Sequence, residues 1–98
     1  MMPRVAVVGS GISGLSAAHA LHGQAHVTLF EAAHRLGGHT HTVDITLPGP
    51  HGLVTHGVDT GFLVFHEKTY PGLLALFESL RIPIAASNMS FSAQVPLA

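Results

Sequence analysis

Gly9, Gly11 and Gly14, in the stretch "GSGISG", meet the spacing G-x-G-x-x-G. Each glycine has a physical task at a phosphate site. The first permits a tight turn out of a strand, the second leaves no Cβ where a pyrophosphate comes close, and the third lets a helix pack tightly on a sheet. Ser10, Ile12 and Ser13 lie between them and complete the candidate loop. A helix starting there presents unpaired N–H groups and a partial positive charge to the phosphates. Glu31 follows about 20 residues on, with Ala32 beside it, where a carboxylate accepts bonds from ribose hydroxyls and repels a 2′-phosphate. These residues favour FAD or NAD over NADP. Taken alone, the triplet also fits any tight strand-to-helix turn, and Glu31 also fits a solvated strand end, so the surrounding elements decide.

Those elements are legible. Residues 4 to 8, "RVAVV", are β-branched and nearly all apolar, which predicts a strand buried on both faces of a parallel sheet. From Ile12 to about Leu21 the apolar positions Ile12, Leu15, Ala18 and Leu21 form one stripe of a helix that packs on that sheet, with Gly23 as its stop. "HVTLF", His26 to Phe30, supplies a second strand ending at Glu31. Strand, glycine turn, helix and strand make a right-handed βαβ unit of Rossmann type over residues 1–38.

Beyond it, residues 39–98 are expected to hold a hairpin, a helix and short strands. The hairpin strands are His39 to Leu47 and Leu53 to Val58, around the turn "PGPHG". In "EKTYPGLLALFESL" the residues Tyr70, Leu73, Leu74, Phe77 and Leu80 recur at helical spacing, with Pro71 tolerable in the first turn. This stripe reads as core, or as a docking face for further polypeptide. Ile84 to Val95 reads as two short strands.

Arg35, Gly37 and Gly38 in "RLGG" form a second glycine pair soon after the acid. Such a pair admits a second approach to the dinucleotide, with Arg35 supplying charge-assisted bonds to phosphate or ribose; the alternative is a simple turn. The nine histidines invite a metal reading, and His39 and His41 fall on one face of a strand. Neither a cysteine nor a spaced carboxylate completes a tetrahedral set, so no metal is expected. Asp59 before its loop reads as a turn or cap former rather than a catalytic base.

Composition sets the bounds. The 98 residues fit one small domain or the opening segment of a larger protein, and only 9% are charged while 47% are hydrophobic. That charge is low for a free-standing surface, so burial against the remaining polypeptide or a partner chain is expected. A net charge of −1 without a basic cluster argues against nucleic acid. Cysteine is absent, and no apolar run is long enough for a signal-peptide core or a membrane span. A cytoplasmic location is the resulting expectation.

The stretches "VAVVGSGISGLSAAHAL", "VTLFEAAHRLGGHTHTVDI" and "VDTGFLVF" resemble the N-terminal segment of the flavin-dependent amine oxidoreductases, a group that includes monoamine oxidases, protoporphyrinogen oxidases and phytoene desaturases. The resemblance spans nearly the whole chain, which would be the opening part of much longer proteins. It implies FAD bound at the glycine loop, with Glu31, Arg35, Gly37 and Gly38 matching the family's acid, arginine and glycine pair. It also places Thr60, Gly61, Phe62 and Leu63 near the pyrophosphate or ring. His39 stands where relatives often carry arginine, and it is the one histidine with an expected place beside the flavin. Phe62 stands where many relatives carry a second glycine. The expected function is that of an FAD-binding segment whose flavin accepts hydride from a C–N or C–C bond of a small-molecule substrate. An NAD-dependent dehydrogenase segment and a dinucleotide-binding or interaction module without turnover are the alternatives. No residue of the chain presents itself as acid, base or nucleophile.

Overall fold

The computed structural model describes residues 1–97. They fall into two compact units, Met1–Leu63 and a second that begins at Val64. The hairpin thus groups with the βαβ unit.

In the first unit, β1 (Arg4–Val8) and β2 (His26–Phe30) pair in parallel, with Val5 opposite Val27 and Val7 opposite Leu29. Helix α1 (Ile12–Ala20) crosses between them and packs on one face of this sheet. It ends at the C-cap Leu21, and the turn that follows contains Gly23 in the left-handed region at φ +79°. Alternation along β1 and β2 turns Val5, Val7, Val27 and Leu29 toward α1. The other face is open, which corrects the expectation of burial on both sides: Val8 is 85% exposed and Phe30 53%. A shallow groove is lined by Arg4, Val5, Ala6, His26, Thr28 and Phe30.

The buried stripe of α1 also differs from the expected one. Gly14, Ala18 and Leu21 are half-buried, whereas Ile12 and Leu15 are exposed. The close approach at Gly14 explains the shift. A Cβ built there would fall 1.8 Å from the Gly9 carbonyl oxygen, so the helix meets the strand exit through its smallest residue and turns larger side chains away.

Strands β3 (Thr42–Gly49) and β4 (Gly52–Asp59) form the antiparallel hairpin, with Gly49 opposite Gly52 and Gly52 at φ +118° in the tight turn. The first strand starts at Thr42 rather than His39, and the second reaches Asp59. Register places Val43, Ile45, Leu47, Val54 and Val58 on one face, and Thr42, Asp44, Thr46, Thr55 and Asp59 on the other. Thr46 and Thr55 share a hydrogen bond of 2.8 Å across the ribbon.

In the second unit, α2 (Pro71–Ser79) begins with Pro71 in its first turn, as expected. Leu73, Leu74, Leu76 and Phe77 are half-buried, and Phe77 meets Phe65 edge to face at 5.6 Å between ring centres. Tyr70 and Leu80 are exposed and so lie outside the packed stripe. Ile84 to Val95 holds no strand, contrary to expectation, and every residue there is exposed. A β-prone sequence needs a partner to complete its ladder, and none pairs with it among the described residues.

Candidate functional site

The glycine loop leaves β1 through Gly9, which adopts φ +99° while its N–H donates to the Phe30 carbonyl at 2.8 Å. That left-handed backbone is the reason for glycine here, since a Cβ would meet nothing within 4 Å. Gly11 is the N-cap of α1, in extended backbone at φ −74° and ψ −173°, with no side-chain cap and no acid in the first turn. The first hydrogen bond of the helix runs from the Leu15 N–H to the Gly11 carbonyl at 3.0 Å. The N–H groups of Ile12, Ser13 and Gly14 therefore point out of the helix start, the arrangement that attracts an anion. Ile12 is itself 50% exposed.

Glu31 stands across from this loop. One carboxylate oxygen, Oε1, accepts the Ser10 N–H at 3.1 Å and also the Ser10 hydroxyl. The other, Oε2, accepts the Ala33 N–H at 3.0 Å. These bonds lower the Glu31 pKa from 4.5 to about 2: the Ala33 amide contributes most, then the Ser10 hydroxyl, then the Ser10 amide, with a smaller part from the Ala32 amide. Because the folded value lies below the unfolded one, this stabilisation is complete above about pH 4.5 and is lost as pH falls toward 2. Acid unfolding of the Glu31→Gln variant should accordingly show a shallower loss of stability across that window, read as urea midpoints between pH 5 and pH 2. An identical slope would remove Glu31 from the acid response.

The "RLGG" stretch folds back over the glycine loop. The Gly37 N–H donates to the Ser10 carbonyl at 2.8 Å. Gly37 and Gly38 both have positive φ, and a Cβ on Gly38 would lie 2.8 Å from the Gly11 Cα. The Arg35 guanidinium donates to the Gly38 carbonyl at 2.7 Å and to the Thr40 carbonyl at 3.1 Å. Arg35 thus closes its own loop through backbone carbonyls and fixes how the second glycine pair sits beside the first.

Gly61, Phe62 and their neighbours pack on the residues that follow "RLGG". The N–H and hydroxyl of Thr60 both donate to the His41 carbonyl at 2.8 Å, and the Phe62 N–H donates to the His39 carbonyl at 3.3 Å. A Cβ on Gly61 would fall 1.7 Å from the His39 oxygen. Gly61 therefore answers to close backbone packing where the chain leaves the hairpin. Asp59 accepts the hydroxyl of Thr42, its partner across the hairpin, at 2.6 Å and pins the same end of the ribbon, where the sequence suggests a turn or cap former. Among the described residues, no group of three or more histidines or acids is placed to hold a metal ion. No helix among them is long and apolar enough to cross a membrane.

The βαβ unit, its glycine turn and the acid at the end of β2 place the loop and the carboxylate side by side, as a dinucleotide fold requires. The family described as NAD(P)-binding Rossmann-like domain matches residues 7–80. The chain belongs to this family. Among curated proteins, this Rossmann-like chain is 37% identical over 89 residues to a tryptophan 2-monooxygenase of Pantoea agglomerans pv. gypsophilae, covering 89% of the chain and 12% of that relative. It is 58% identical over 40 residues to an L-amino-acid oxidase of Pseudechis australis, and 55% identical over 40 residues to one of Sistrurus catenatus edwardsii. Each of those matches covers 40% of the chain and 8% of the relative. The resemblance to amine oxidoreductases stands with these relatives. The chain spans a small part of their length.

The sequence did not assign Ser10 its position. It is the only fully buried side chain of the described residues, at 0% exposure, and it joins the glycine loop, Glu31 and "RLGG". The signal available was a hydroxyl in the middle of a glycine turn, a place where apolar periodicity carries no information.

Proposed function

We propose that the chain is the FAD-binding segment of a flavin-dependent oxidoreductase of the amine oxidase type. The observation that carries this reading is the pairing of an uncapped α1 start at Gly11 with an ionised Glu31 held beside it at the end of β2. The amides of Ile12, Ser13 and Gly14 would receive the pyrophosphate, Gly11 would let it approach the backbone, and Glu31 would take the adenosine ribose. Bound there, the flavin supplies a hydride acceptor for a C–N or C–C bond. The chain's own residues bind and orient it, while acid, base and substrate contacts belong to further polypeptide. The open face of β1 and β2 and the low surface charge support such a completion. The lack of cysteine fits a reducing, cytoplasmic setting.

FAD is favoured over NAD by the names of the relatives, two L-amino-acid oxidases and a tryptophan 2-monooxygenase, and by the second glycine pair beside Gly11. The family description, which names NAD(P), keeps an NAD-dependent segment as the second reading. The intact protein, purified and denatured, is expected to release a yellow chromophore that runs as FAD. A colourless protein stabilised against heat by NAD would favour the second reading, and one that binds neither would leave a module without turnover.

A further inference from the structure

We propose that Ser10 is a positioning residue for ribose recognition: its hydroxyl and amide occupy Oε1 of Glu31 and hold the carboxylate in one orientation, leaving Oε2 to receive a ribose hydroxyl. This rests on the reading of the chain as a dinucleotide-binding segment and names the residue that prepares its acid.

An ionised carboxylate offers about four lone-pair sites. Ser10 takes two of them at Oε1, and the Ala33 N–H takes one at Oε2. The Ala32 amide adds a weaker interaction with the carboxylate. Oε2, which accepts one hydrogen bond against the two at Oε1, is the oxygen with room for a further donor. Ser10 has no freedom to turn away, because its side chain is fully buried and its carbonyl is tied to the Gly37 N–H at 2.8 Å. The carboxylate is therefore oriented before any ligand arrives. Pre-orientation of a donor or acceptor raises selectivity for the group it meets, since less freedom is lost on binding. The hydroxyl is also one of the bonds that keep Glu31 ionised in acid.

The alternative is that Ser10 only ties the loop together. Two ligands separate the possibilities: ADP, which carries the ribose diol and pyrophosphate, and 2′,3′-dideoxy-ADP, which lacks the diol. Binding of both is measured on the intact apoprotein, together with the NMR titration of the Glu31 carboxyl. The wild type is expected to prefer ADP by roughly tenfold or more. In Ser10→Ala that preference should fall by about threefold or more, and the Glu31 titration should move up toward the ordinary carboxylate range. Ser10→Cys keeps the shape of the side chain, with a somewhat larger atom and a weaker donor, and should act in the same direction, so a poorly folded alanine variant does not decide the matter. A purely structural serine would weaken both ligands alike. Full preference for ADP in both variants therefore overturns the proposal while leaving the dinucleotide reading intact. A wild type that binds ADP without preferring it over the dideoxy compound also overturns the proposal, by removing Glu31 from ribose recognition. A wild type that binds neither ligand overturns the underlying reading, and this inference with it.

Discussion

Replacing Gly14 with alanine is expected to destabilise the protein by about 3 kcal/mol, although alanine is the better helix former by about 1 kcal/mol. The two effects oppose each other, and geometry decides which wins. A Cβ on Gly14 would lie 1.8 Å from the carbonyl oxygen of Gly9 and 2.8 Å from its carbonyl carbon. Both are backbone atoms, and Gly9 is anchored by its N–H to Phe30, so no flexible side chain can give way. Relief requires α1 to lift from β1, which uncovers Val5, Val7, Val27 and Leu29. Gly72 provides the control. It also lies in a helix, α2, but a Cβ there meets nothing within 4 Å, so Gly72→Ala should be neutral or stabilising by up to about 1 kcal/mol. Urea midpoints of the two variants in the intact protein test the contrast. If both variants gain stability, α1 does not rest on the strand exit as described.

The regular elements of the first unit could be read because each carries its own local signal. β1 and β2 are continuous β-prone runs, and both form over the expected residues, Arg4–Val8 and His26–Phe30. The helix between them begins at Ile12, within the glycine motif as expected, and the hairpin forms around "PGPHG" with its ends moved by a few residues. What escaped was set by neighbours. Ile12 and Leu15 have the spacing of a buried stripe, yet Gly14 and Ala18 hold the inner face, because distance of approach rather than hydrophobicity selects the side that packs. Ile84 to Val95 has strand-like residues, but no strand pairs with it among the described residues.

The candidate site divides in the same way. The spacing of Gly9, Gly11 and Gly14 and the position of Glu31 follow from what a dinucleotide fold demands, and the structure brings Glu31 against the glycine loop through Ser10. Arg35 was readable as a cation near phosphate. Its bonds to the Gly38 and Thr40 carbonyls depend on how a six-residue loop closes, which residue type alone does not reveal. Gly61 is expected near the cofactor from its place in "VDTGFLVF", and the structure adds a demand of its own there, the His39 carbonyl 1.7 Å from where a Cβ would stand. A glycine reports that something comes close without saying whether it is ligand or backbone.

Gly11 is the position where that ambiguity can be resolved. Its backbone is extended, open to any residue, and a Cβ there would meet only the Gly38 Cα, at an ordinary contact distance of 3.9 Å. Gly11→Ala should therefore leave the fold unchanged to within about 0.5 kcal/mol, the range of a harmless substitution. The proposed pyrophosphate, by contrast, must come against this backbone, and a methyl group there holds it away from the amides of α1. FAD affinity of the intact apoprotein should then drop by about 100-fold, equivalent to about 2.7 kcal/mol of lost binding, as read by flavin fluorescence titration. Gly38→Ala makes the opposite demand. Its Cβ would press on the Gly11 Cα at 2.8 Å from a backbone at φ +62°, so it should cost stability even without cofactor. Opposite behaviour of two glycines that face each other would separate room kept for a ligand from room taken by the chain. Unchanged FAD affinity in a stable Gly11→Ala variant would mean that the diphosphate does not lie over this loop.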